Sequence, residues 1–98
     1  MTATTTAARL DKIVARYNRK RVADTLRRLR LGYWINKRSD LLSWSGILSD
    51  KKVYTDGLRA LVRAGLVEYK RDSFVGGGWY RLTARGWTAA KLAATEGR

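Results

Sequence analysis

Ninety-eight residues, 45% of them hydrophobic, suffice for one domain with a single core and are too few for two. Lys and Arg number 21 against 8 Asp and Glu, a formal charge of +13 that attracts polyanions, nucleic acid before an anionic membrane surface. With no Cys and no His, disulfides, thiolate or imidazole metal sites and the usual general base are excluded, so a cytoplasmic, non-enzymatic protein without metal or cofactor is expected.

The charge is not confined to a tail. Residues 1–49 hold 11 basic and 3 acidic groups, and residues 50–98 hold 10 and 5. No apolar run approaches the roughly 20 residues of a membrane span.

In chain order, residues 1–6 are small and polar and are expected to be disordered, with the domain proper over 7–98. Leu10, Ile13, Val14 and Tyr17 recur at helical spacing and predict an N-terminal amphipathic helix over 7–21. Val22, Leu26, Leu29 and Tyr33 form a second stripe. The five-residue step from Tyr17 to Val22 swings the apolar face, so either the helix breaks near Asn18 or one long helix serves two surfaces; two surfaces are expected. Gly32 is the expected C-cap.

Ser39 and Asp40 resemble a helix start for a short element carrying Leu41, Leu42 and Trp44. Ser49 and Asp50 then cap a helix over 50–64, with Tyr54, Leu58 and Leu61 facing the core and Gly65 ending it. Gly57 inside it costs about 1 kcal/mol against Ala, and close contact with a neighbouring helix is its expected reason. After Gly65 the period changes to two. Val67 and Tyr69 oppose Glu68 and Lys70; Tyr80 and Leu82 oppose Trp79, Arg81 and Thr83. "SFVGGG" is the turn between them, and Thr83 caps a last helix over 84–95 carrying Trp87 and Leu92.

The stretch "LRALVRAGLVEYKRD…GGGWYRLTARG" resembles the pattern L-x-x-L-x-x-x-G-L-V…G-x-Y-x-L-T-x-x-G of winged helix-turn-helix regulators of the MarR, ArsR and PadR kinds, over roughly residues 22–94. The resemblance implies an α+β, mainly α fold: a three-helix core and a two-stranded wing over 66–83, within a core segment of 22–83 flanked by additional N- and C-terminal helices. The resemblance places the wing over 70–81 on the minor groove or backbone. The charge and the helix face, rather than the fold, point to sequence-specific binding of double-stranded DNA by a small transcriptional regulator, with the helix over 50–64 in the major groove. Such a regulator is expected to be cytoplasmic (nucleoid-associated, or in the host cytoplasm if viral).

The helix face opposite Tyr54, Leu58 and Leu61 supports this independently. Lys52, Thr55, Asp56 and Arg59 are the candidates for base edges, and Lys51 and Arg63 for phosphates. In the wing, Lys70, Arg71 and Arg81 are the expected contacts, since Arg reads a narrow minor groove by its shape. Arg16, Arg19, Lys20, Arg21, Arg27, Arg28 and Arg30 form a basic run that serves either as a backbone clamp or as a solvated helix surface. Phe74 and Val75 are unusual for a DNA-facing tip. Trp44 and Trp87 are expected in the core, while Trp79 lies on the strand face opposite Tyr80, where a base could stack.

A homodimer is expected, paired through Leu10, Ile13, Val14, Tyr17, Trp87 and Leu92, with no small-molecule effector. Two other classes stay open: an RNA-binding or ribosome-associated winged helix, and a protein-interaction module using the wing.

Overall fold

The computed structural model describes residues 8, 10, 12, 13, 15–72 and 77–96. Among the described residues, three bounded helices and one four-stranded antiparallel sheet make up an α+β domain. The elements are α1 (Arg19–Arg30), β1 (Ile35–Arg38), β2 (Leu41–Trp44), a 3₁₀ turn (Gly46–Leu48), α2 (Thr55–Arg63), β3 (Val67–Asp72), β4 (Gly77–Leu82) and α3 (Ala84–Glu96). Residues 8, 10, 12, 13, 15 and 16 are helical as well. The expected disorder of residues 1–6 lies outside the described residues, as do Val14, Phe74 and Val75.

Of the two alternatives at Asn18, the chain takes the break. Asn18 is extended, and its side-chain oxygen accepts from the Arg21 N–H at 3.1 Å, satisfying one of the donors that a helix start leaves open. The two stripes nevertheless meet in one core. Leu10 and Ile13 are buried together with Val22, Leu26 and Leu29.

The expected short helix at Ser39 is absent. Residues 35–44 form a hairpin instead, with Arg38 opposite Leu41 and Ile35 opposite Trp44. Ser39 and Asp40 are its two-residue turn, and the φ of 55° at Ser39 is the left-handed value that primed hairpin turns take at their first central position. A Ser-Asp pair suits a turn as well as a helix cap. What decides between them is distant in sequence: β1 also pairs with β4, Ile35 opposite Tyr80 and Asn36 opposite Trp79.

A second correction follows at α2. It begins at Thr55 rather than near 50, behind Tyr54, which makes no side-chain cap hydrogen bond. Lys51 and Lys52 therefore precede the helix. At its far end Gly65 has a φ of 78°, Gly65 N–H donates to Val62 and Leu66 N–H to Leu61, each at 3.0 Å. This is the Schellman closure, and its apolar partners Leu61 and Leu66 are both fully buried.

The sheet order is β2-β1-β4-β3. Along β3 and β4 the alternation is as the period of two requires, and Gly77 and Gly78 belong to β4 rather than to the turn. One sheet face carries Ile35, Trp44 and Val67 into the core beneath the helices; the other carries Asn36, Arg38, Ser43, Trp79 and Arg81 outward.

Helix α3 packs along α1 through Ala89 and Ala90, both buried, while Trp87 is 46% exposed. The expectation of a core Trp87 is thereby overturned. Small side chains let the two helices approach, and the indole is turned outward. Gly57 meets two neighbours: a Cβ there would press on the Tyr54 ring and come within 3.4 Å of Val22 in α1.

Among the described residues, no helix is long and apolar enough to cross a membrane.

Candidate nucleic-acid interface

Helix α2 divides cleanly. Gly57, Leu58 and Leu61 face the core, and Thr55, Asp56, Arg59 and Arg63 are exposed. The apolar side anchors the helix, so the charged side is held in a fixed direction by packing worth roughly 1.5–3 kcal/mol for each fully buried leucine.

Between α2 and the sheet runs an open groove of about 570 Å³. Thr55, Arg59 and Arg63 line it from the helix; Lys37, Asp40 and Tyr69 line it from the strands and their turn. Three cations thus face one carboxylate across a narrow concavity, where low-dielectric walls concentrate a positive field. Tyr69 and Tyr80, with ring centroids 5.1 Å apart, build part of the wall, and the Lys37 ammonium sits 5.4 Å from the Tyr69 ring centroid.

Some candidates converge here and others do not. Asp56 is exposed on α2 but is not part of the groove lining, and Lys51 and Lys52 are exposed in the segment ahead of the helix. The three hairpin cations separate: by strand alternation Arg71 shares the Tyr69 face, whereas Lys70 and Arg81 occupy the opposite one. Arg81 lines a second depression on that outer face.

The basic run of α1 is partly engaged within the chain. Asp24 holds Arg27 at 2.6 Å and Arg28 at 2.9 Å. The Arg28 guanidinium lies 5.6 Å from the centroid of the buried Trp44 ring, and Arg21 lies 5.2 Å from that of Tyr54. Arg16, Arg19, Lys20 and Arg30 are exposed.

Of the residues expected to join two chains, Leu10 and Ile13 are only 4% and 7% exposed, committed to the protein's own core. Tyr17 and Leu92 pack partly against that core.

Sequence reasoning missed Lys37, which was assigned to no element. Its signal was weak: "INKR" has little strand character, and only pairing to β2 and β4 reveals it as a strand. Among the described residues, no three His, Cys, Asp or Glu side chains come together as a metal site requires.

No family model, curated protein or solved structure matches this chain, so the groove's chemistry rests on its own geometry.

Proposed function

We propose that the chain is a winged-helix protein that binds double-stranded DNA sequence-specifically, as a small transcriptional regulator. The observation that carries this reading is the groove in which Arg59 and Arg63 of α2 meet Lys37 of β1 beside the β3–β4 hairpin. A short helix with an apolar inner side and a cationic outer side fits a major groove, and an adjacent hairpin supplies the flanking backbone contact.

In this reading Thr55, Asp56 and Arg59, at the exposed start of α2, meet base edges. Arg63, Lys37, Lys51 and Lys52 meet phosphates, and Arg71 is the wing's contact. Thr offers a methyl to thymine, and Arg offers two donors to guanine O6 and N7. Among the described residues, a β-hairpin and a 3₁₀ turn stand between α1 and α2 where a helix-turn-helix has its middle helix.

Selection from a random duplex library at near-physiological salt tests the proposal. Enrichment of a defined site, repeated about ten base pairs apart, is the expected result for a homodimer. Binding without enrichment, lost steeply as salt rises, would leave only non-specific charge attraction and would sink the sequence-specific reading.

A further inference from the structure

Three of the four tryptophans come from separate segments and line one depression. Trp34 precedes β1, Trp79 lies on β4 and Trp87 on α3; together with Asn36, Arg38 and Arg81 they border a hollow of about 1040 Å³ on the outer face of the sheet. Trp34 is 45% exposed and Trp87 46% exposed, although buried positions exist nearby for the smaller Leu29 and Ala89. An exposed apolar group of this size on a small protein commonly marks a binding surface.

The Trp34 ring is held in place. Its indole N–H donates to the Asn36 side-chain oxygen at 3.0 Å, which sets the ring's direction while leaving it exposed. The strand register places Asn36 opposite Trp79, so Trp34, two residues before Asn36, and Trp79 are diagonal neighbours on one face. Diagonal neighbours stand roughly 7–8 Å apart, which lets two rings serve two successive planar groups.

The charge of the lining chooses the occupant. Arg38 and Arg81 present their charges to the hollow, while the Lys37 ammonium lies on the other side of the sheet beside Tyr69, and no Asp or Glu is among the described lining residues. The acid nearest in register is Glu68, opposite Arg81, and it is paired with Lys70 at 3.5 Å. A purely apolar partner would leave these cations without counter-charges. A polymer that alternates flat rings with phosphates matches both features, and duplex DNA does not, because its ring faces are stacked inside the helix.

We infer that this outer face binds single-stranded DNA, with bases stacked on Trp34, Trp79 and Trp87 and phosphates held by Arg38 and Arg81. The inference goes beyond the duplex reading and uses the opposite side of the sheet. DNA is chosen over RNA because the duplex proposed for α2 supplies the same polymer wherever it opens.

Intrinsic tryptophan fluorescence of the full chain, titrated with oligothymidylate at low salt, reads the contact directly. Quenching is expected, with Trp34→Ala and Trp87→Ala each weakening binding about 5- to 150-fold. Trp34→Phe should retain most of the affinity, because a phenyl ring still stacks. Arg38→Ala should lower the salt slope by roughly 0.7. Circular dichroism of each variant separates lost stacking from lost folding, and neither exposed ring is part of the core. Arg59→Ala should leave the single-strand titration unchanged while impairing duplex binding, so the two proposals fail separately.

Three results would overturn the inference. One is unchanged oligothymidylate affinity in the tryptophan variants. Another is tighter binding of oligouridylate with the same tryptophan dependence, which would make RNA the occupant. The third is absence of quenching; if the chain is then a dimer that the tryptophan variants dissociate, the occupant is a second copy of the chain.

Discussion

Thr83 donates its hydroxyl hydrogen to the Gly65 carbonyl at 2.6 Å, tying the start of α3 to the end of α2. The same oxygen accepts from the Gly86 N–H at 3.0 Å, and the Thr83 N–H donates to the Leu66 carbonyl at 3.1 Å. The G-L-V and L-T-x-x-G segments are therefore two halves of one junction. Its role is mechanical: it fixes where the hairpin leaves α2 and where it re-enters the helical layer.

Replacing Thr83 with Ala removes both an N-cap and this cross-link. A loss of about 1–2 kcal/mol is expected by urea denaturation, with Thr83→Ser recovering most of it. An alanine variant as stable as the parent would mean that the junction is held by the backbone contacts alone.

Gly86→Ala sets two rules against each other. Inside a helix the change normally stabilises by about 1 kcal/mol. Here the new Cβ would run into the Leu66 carbonyl, so the expected sign is reversed, with a loss of about 1–3 kcal/mol. The thermal midpoint of the variant decides the sign.

Asn18 stands at the break between the N-terminal helical residues and α1. Asn18→Ala deletes the acceptor for the Arg21 N–H, and a loss of roughly 0.5–2 kcal/mol is expected, whereas Asn18→Asp should be close to neutral or stabilising at the positive end of the helix. Chemical denaturation of the pair checks the order of stabilities.

Arg59 and Lys37 test the duplex proposal in different ways. Arg59→Ala is expected to relax preference at one base position by about 1–3 kcal/mol, measured against single-mismatch duplexes. Lys37→Ala should weaken all duplexes alike and reduce the salt slope by about 1, since it offers a point charge to a phosphate. A specificity change in the lysine variant instead would place β1 against base edges.

Much of the fold follows from local pattern. The stripes of α1 and α2, the turn to period two after Gly65, and Thr83 as a cap each depend on residues within a few positions of one another. Residues 39–44 show the limit of that logic. Ser39-Asp40 followed by Leu41, Leu42 and Trp44 satisfies both a capped helix and a hairpin, and nothing nearby separates them. Trp87 shows it again, because the two alanines beyond it give α3 a closer seat on α1 than an indole would.

The amino-acid sequence by itself determined the charge, the apolar stripes, the glycine-ended α2 and the β3–β4 hairpin, because those rest on backbone preference and short-range periodicity. Only the tertiary structure decided that β1 joins β4, which turns Lys37 towards Arg59 and Arg63 and opens a tryptophan-lined outer face. Strand pairing between Ile35 and Tyr80, distant in sequence, depends on which edge is free to receive it, and no local spacing encodes that choice.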